Sequence, residues 1–338
     1  MRAAIYHGDG QITLEERPTP TIGPGELLVR TDACGLCGSD LMQWYQDPRA
    51  PVVLGHEPVG TVVDAGAGAP VAVGTRVFVH HHVPCMVCAL CRRGRHTLCE
   101  TFRATRIDPG GFAEYIRVPA ENVRLDVLEI PDGMSDATAT LIEPLACILR
   151  GQRWAGVVPG SRVAVVGAGS MGLLEISAAT AAGAECVVAL EPRADRRALA
   201  RVFGAVAPDE PSAGSAREAM GGEWAEAVFV CTHDHRGIQM ALEIAGPGSV
   251  VQLFAPTEPG ELVPLDLGAI FFREVTIQST YSAGPGDTRD ARDLLMAGGV
   301  ATDRIISHRV PLASIDEAFR LARSGEAVKV VVEMSSDL

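Results

Sequence analysis

The sequence predicts an α/β protein in two parts, a small partly open β-barrel and a doubly wound parallel sheet. Three observations carry that prediction. Residues 1 to 80 break into short β-rich runs such as AAIY, ITLEE, ELLVRTDA, PVGTVVDAG and RVFVHHH, separated by proline and glycine turns. From Arg162 onward, buried strands alternate with helices, beginning RVAVVGAGSMGLLEISAATAAG. A chain of 338 residues is long enough for two domains with separate cores.

Composition narrows the function. A hydrophobic content of 47% and a charged content of 21% describe an ordinary globular protein. The net charge of −13 argues against nucleic acid or an anionic membrane surface as partner. No run approaches the roughly eighteen apolar residues of a membrane span. The N-terminus, MRAAIYHGDGQITLEE, has no apolar signal core and reads directly as strand. The expectation is a cytoplasmic protein whose nine cysteines serve as metal ligands rather than disulfides.

Residues 31 to 57 bring together Cys37, Asp40, His56 and Glu57. Thiolate and imidazole are zinc ligands, and a catalytic zinc takes three protein ligands and keeps one position open. A further ligand must therefore come from elsewhere, and Glu143 in the apolar stretch LIEPLACILRG is the candidate. Asp40 and Glu57 are expected to orient the imidazole and tune the metal. His80, His81 and His82 resemble a ligand cluster. Successive strand residues point to opposite faces, so the three cannot all converge on one ion, and strand polarity is expected.

Cys85-x2-Cys88-x2-Cys91-x7-Cys99 is the most specific local motif. Four thiolates at this spacing make a closed tetrahedral zinc site without an open position, hence a structural one. Arg92, Arg93, Arg95 and His96 lie between these ligands and offset their charge. Strand character returns in PGGFAEYIRVPAENVRL. The period then turns helical, with Ser135 or Asp136 as the N-cap of the region that delivers Glu143. Cys147, one turn beyond Glu143, is expected to pack.

The apolar run Val163 to Val166 is a buried strand feeding Gly167-Ala168-Gly169-Ser170-Met171-Gly172. In that strand–turn–helix context the first glycine makes the tight turn and the second admits a pyrophosphate. The third lets helix and strand pack closely, so a dinucleotide is expected. Glu191 ends the next strand, where an acid accepts from ribose hydroxyls and repels a 2′-phosphate. NAD is therefore favoured over NADP, although Arg193, Arg196 and Arg197 lie nearby. About six parallel strands are expected. Residues 208 to 223 read as loop plus a short helix. The C-terminal stretch from Asp287 reads as two amphipathic helices and closing strands that return to the first domain.

The whole chain resembles the zinc-dependent medium-chain dehydrogenases, and among them the alcohol and polyol (sorbitol-type) branch. The matching pieces are Cys37-Gly-Ser-Asp40, Gly55-His56-Glu57, the four-cysteine lobe, Gly110-Gly-Phe-Ala-Glu-Tyr115, Glu143-Pro-Leu145 and the glycine motif. The resemblance implies a GroES-like catalytic domain, residues 1–150 and 284–338 with the zinc lobe at 85–99. An inserted Rossmann domain would occupy 151–283, with the active zinc in the cleft between them. It implies two zinc ions per chain, one catalytic and one structural, with NAD as cofactor and a homodimer or homotetramer as the assembly. Cys37 and His56 would ligate the catalytic zinc, with Glu143 where alcohol dehydrogenases often have a third cysteine. Glu57 would ligate directly or through water. Ser39 would take the proton of the alcohol, and Glu191, Arg196 and Lys329 would contact the cofactor.

The implied reaction is reversible oxidation of a secondary alcohol of a polyol, sugar or cyclitol, amino-substituted ones included, to the ketone. Zinc would act as Lewis acid and nicotinamide as hydride acceptor. Two features depart from the family pattern. Met42 stands where many relatives carry a relay histidine, and only 19 positions (56 − 37) separate Cys37 from His56. The competing readings are a zinc-free quinone or enoyl reductase of the same superfamily and a non-enzymatic zinc-ribbon or NAD-binding module. The ligand triad counts against the first, and a second metal constellation counts against the other.

Overall fold

The computed structural model describes residues 1–334. The chain forms two compact units. The first gathers Met1–Glu143, Ala283–Ala297 and the segment from Thr302; the second comprises Pro144–Ser282 and Gly298–Ala301. Helix Ile142–Ala155 carries the chain from one into the other.

The first unit is built around strand Leu27–Leu36. Leu27, Val29, Thr31 and Ala33 are buried, while the residues between them are more exposed, as one buried sheet face requires. Along one edge this strand runs antiparallel to Glu57–Ala65. Along the other it pairs with Tyr115–Val118 through Leu27–Arg30 and with Lys329–Glu333 through Ala33–Leu36. Arg76–Val79, Val127–Glu129 and Ile306–Pro311 complete a seven-stranded, mainly antiparallel sheet. A three-stranded sheet, Gln11–Glu16, Arg2–Gly8 and Val52–Val53, lies beside a core that includes Phe112 and Phe319, packed edge-on at 6.1 Å. Gly60 is required where strands cross closely, since a Cβ there would sit 2.0 Å from the Arg30 carbonyl oxygen.

Register determines what meets at the end of this sheet. Gly35 pairs with Glu57 and Leu36 with Val330, so Cys37, Glu57 and Lys329 emerge together from three distant parts of the chain. The cysteine lobe projects from the same unit as a string of short helical turns between Ala89 and Ala104.

The second unit is a parallel sheet in the order Cys186–Leu190, Arg162–Val166, Ala225–Val230, Ala245–Leu253, Thr276–Ser279. It has five strands rather than about six. The strand expected after helix Ala194–Val202 shrinks to a single parallel bridge, Val188 to Val206. Pro208 and Pro211 follow at once, and a proline has no N–H to extend the ladder. Helix Ser170–Ala181 is buried from Gly172 to Ala179, which explains its apolar character on all faces. Among the described residues, no helix is long and apolar enough to cross a membrane.

Candidate active site

Cys37 lies just beyond strand Leu27–Leu36, and the turn Gly38–Leu41 follows. Asp40, 2% exposed, closes that turn by accepting the Cys37 backbone N–H on Oδ2 at 3.0 Å. Its other oxygen lies 3.4 Å from His56 Nδ1. Burial pulls the His56 pKa down, but Asp40 and then Cys37 lift it well above its usual value. With Nδ1 turned to Asp40, Nε2 is the nitrogen left for a metal. One ligand atom from each of Cys37, His56 and Glu57 lies within 4.8 Å of the other two. The donor set of thiolate, imidazole and carboxylate fits zinc. Ser39 is half-buried in the same turn, whose shape is held by Gln46 Nε2 donating to the Ser39 carbonyl at 2.9 Å.

Glu57 stands with Cys37 and His56 as one of the direct ligands that the resemblance allows, and the carboxylate of Glu143 has one ligand atom within 4.8 Å of those of His80 and His81. The cause is the path of the chain. Strand Arg76–Val79 ends before His80, so the rule of alternating faces no longer holds, and two of the three histidines turn towards the start of helix Ile142–Ala155. His82 turns away and bonds to the Thr105 carbonyl. Lys329, expected at the cofactor, is buried in the first unit with Nζ 2.7 Å from Glu57 Oε1. Nothing short-range in the sequence points to this pair.

The four cysteines converge as their spacing predicts, again with ligand atoms within 4.8 Å of one another. The Sγ atoms of Cys85 and Cys91 are 3.9 Å apart, close to the edge of about 3.8 Å that a tetrahedron with Zn–S of 2.3 Å requires. Backbone N–H groups point at the sulfurs, Cys88 to Cys85 at 3.3 Å and Cys85 to Cys99 at 3.4 Å. Burial pushes the Cys99 thiol up, yet the N–H groups of Cys85 and Phe102 bring it down to about 6. All nine cysteines are free thiols, so no disulfide competes for these ligands.

In the second unit the glycine turn has the shape a dinucleotide needs. Gly167 has a φ of +94°, and a Cβ on Gly172 would lie 1.9 Å from the Gly167 carbonyl oxygen. Gly169 caps helix Ser170–Ala181 without a side-chain hydrogen bond, and a Cβ there would meet nothing within 4 Å. Open space in front of unsatisfied helix N–H groups is what a pyrophosphate fills, with Ser170 and Met171 in the first turn. Glu191 is buried and accepts the N–H groups of Ala168 at 2.7 Å and Arg193 at 2.9 Å. Arg193 pairs with Asp195, and Arg197 donates to the carbonyls of Glu191 and Pro192. Arg196 is buried in the following helix.

The comparisons with known proteins agree with this geometry. Residues 23–132 match the family described as alcohol dehydrogenase GroES-like domain, and residues 170–297 that described as zinc-binding dehydrogenase. A sorbitol dehydrogenase of Gallus gallus is 32% identical, over 98% of this chain and 96% of its own length. An L-threonine 3-dehydrogenase of Pyrococcus abyssi (strain GE5 / Orsay) is 33% identical over 94% of both chains. The fold is shared with a zinc-binding dehydrogenase of Sinorhizobium meliloti 1021 solved bound to NADP, at a TM-score of 0.87 and 32% identity over 98% of both chains. The chain therefore belongs to the zinc-dependent medium-chain alcohol and polyol dehydrogenases, enzymes that oxidise alcohols with a nicotinamide cofactor.

Proposed function

We propose that this enzyme oxidises a secondary alcohol of a polyol, sugar or cyclitol, amino-substituted ones included, to the ketone with NAD as acceptor. The observation that carries the reading is the gathering of Cys37, His56 and Glu57 with Asp40 against His56. Relatives named for sorbitol and for threonine support a hydroxyl with a polar neighbour as the substrate class.

Bound zinc supplies a Lewis acid for the alcohol oxygen, and bound NAD supplies the hydride acceptor. Cys37, His56 and Glu57 would hold the metal, with Glu143 beside them. Asp40 fixes the imidazole, and Lys329 restrains the Glu57 carboxylate. Glu143 acts on the same centre through its charge: burial raises the Glu57 pKa, Lys329 and His56 pull it back, and Glu143 adds to the rise. Ser39 accepts the hydroxyl proton. With Met42 in place of a relay histidine, Ser39 would have to pass that proton to water, another base or the ribose of a bound cofactor. In the second unit, the N–H groups at the start of helix Ser170–Ala181 would hold the pyrophosphate, and Glu191 would accept from the ribose hydroxyls. Arg193 and Arg197 are engaged by local acceptors, which supports NAD over NADP.

A homodimer or homotetramer fits the exposure of Leu262, Leu267, Phe271 and Phe272 near edge strand Thr276–Ser279. A cytoplasmic setting fits nine free thiols.

The test is NADH formation with a panel of polyols, sugars and aminocyclitols, alongside zinc content, for wild type, Cys37→Ser and Glu143→Ala. Cys37→Ser should hold about one zinc per chain fewer than wild type and form no NADH. An unchanged zinc content and turnover in Cys37→Ser would overturn the reading.

A further inference from the structure

Ser39 carries the proposed proton step, yet its own side chain does nothing to hold it in place. Among the described residues the Ser39 hydroxyl makes no hydrogen bond, so its backbone alone aims it. That backbone is one tight turn, Gly38–Leu41. The turn's internal bonds are long: the Asp40 N–H reaches the Cys37 carbonyl at 3.1 Å, and the Met42 N–H reaches the Ser39 carbonyl at 3.3 Å. Bonds between residues three apart have poor geometry and restrain weakly. A shorter bond to the same Ser39 carbonyl comes from outside the turn, where Gln46 Nε2 donates at 2.9 Å. Gln46 is 5% exposed, and a buried amide left without its acceptor is costly, so this bond is one the fold keeps.

Gln46 is held at its base as well. Its backbone N–H reaches the Met42 carbonyl at 3.0 Å within helix Gln43–Gln46. The next residue, Asp47, accepts the Tyr6 hydroxyl at 2.5 Å and the Asp9 N–H at 3.2 Å on one carboxylate oxygen. Tyr6 is buried in strand Arg2–Gly8, and its hydroxyl accepts the Gly10 N–H at 3.1 Å. The turn that carries Ser39 is thereby fastened to the N-terminal sheet, 41 positions away in sequence. Met42 has no side-chain N–H or O–H that could serve in place of Gln46.

We propose that Gln46, anchored through Asp47 to Tyr6, is the positioning residue for Ser39 and acts on proton transfer only through it. The proposal rests on Ser39 as the acceptor of the alcohol proton. A reacting group displaced by about 1 Å can lose about 100-fold in rate, so a single hydrogen bond to the peptide of Ser39 has that much to protect.

The experiment is steady-state kinetics with an alcohol that the wild type oxidises, together with zinc content and the solvent deuterium isotope effect on kcat. The variants are Gln46→Met, Tyr6→Phe, Ser39→Ala and the two doubles that combine each of the first with Ser39→Ala. Methionine matches glutamine in length and lacks the N–H. Gln46→Met should lower kcat about 10- to 100-fold while KM and zinc content stay near wild type. Its isotope effect should rise, because proton transfer then limits turnover. Tyr6→Phe should show the same pattern at smaller size, and it decides the matter if Gln46→Met does not fold. Ser39→Ala should keep a slow turnover with water as base, and neither substitution should reduce it further. A loss that persists in the Ser39→Ala background would overturn the proposal, since Gln46 would then act by another route. Unchanged kcat in Gln46→Met, or in Tyr6→Phe where Gln46→Met does not fold, would also overturn it. Full turnover in Ser39→Ala is a different failure: it removes Ser39 from the proton step and the proposal with it, while the metal centre tested by Cys37→Ser stands.

Discussion

Nζ of Lys329 lies 2.7 Å from Oε1 of Glu57, across 272 positions of sequence, and both side chains are buried. Burial pulls the Lys329 pKa down, but Glu57, followed by Cys37, raises it above its usual value, so the ammonium stays charged. The pair needs both members, because removing one leaves an uncompensated charge in a low-dielectric interior. Lys329→Met should cost about 3–5 kcal/mol in metal-free protein. The cost should shrink when zinc is present to share the Glu57 charge. Thermal denaturation with and without zinc tests this, and an equal loss in both states would show that Glu57 does not face the metal.

Gly35 makes the pair sterically feasible. A Cβ on it would sit 1.8 Å from Glu57 Oε2 and 3.2 Å from Lys329 Cε. Gly35→Ala should displace the Glu57 carboxylate, weakening zinc at the Cys37 centre while the cysteine lobe keeps its own. Zinc content before and after mild chelation would reveal one labile ion in the variant that is retained in wild type.

Asp40 reaches both the Cys37 N–H and His56 Nδ1. Asp40→Asn keeps the volume but loses the charge that orients the ring. The expected effect is a 10- to 100-fold weaker affinity for the catalytic zinc, on the scale of about 10–100-fold known for such supporting carboxylates. Competition with a chromophoric chelator measures it, and unchanged affinity would remove Asp40 from the site's support.

Glu114 binds the N-terminal strand through both the backbone N–H and the guanidinium of Arg2, each at 2.7 Å. Burial raises its pKa somewhat, but the bonds to Arg2 outweigh that and hold it below the ordinary carboxylate value. A depressed carboxylate stabilises the fold above its unfolded pKa, and that contribution is lost as pH falls through the folded value. Partial exposure limits it to about 1 kcal/mol or less. Glu114→Gln should therefore destabilise the protein slightly at neutral pH and not at all in acid. Denaturant midpoints at both pH values decide the matter.

The features legible in the sequence are the ones built from near neighbours. The four cysteines fall within fifteen positions, Cys85 to Cys99, so spacing alone closes the ring. The glycine turn was readable because a buried strand, a tight turn and a helix N-terminus follow one another without a break. Ser135, one of two candidate caps for the helical region, does accept the Thr138 N–H at 3.1 Å.

Other features waited on long-range register or on where an element stops. The short-lived third strand of the parallel sheet depended on how Val206 meets Val188. The grouping of Glu143 with His80 and His81 depended on a strand ending at Val79. By itself the sequence determined the chemistry available to this protein: zinc-binding donors, a dinucleotide turn and the family to which both belong. Only the tertiary structure decided which donors share a centre. A single strand, Leu27–Leu36, is paired along both edges by segments remote in sequence, and a shift of one residue in either pairing would carry Glu57 or Lys329 to the opposite face.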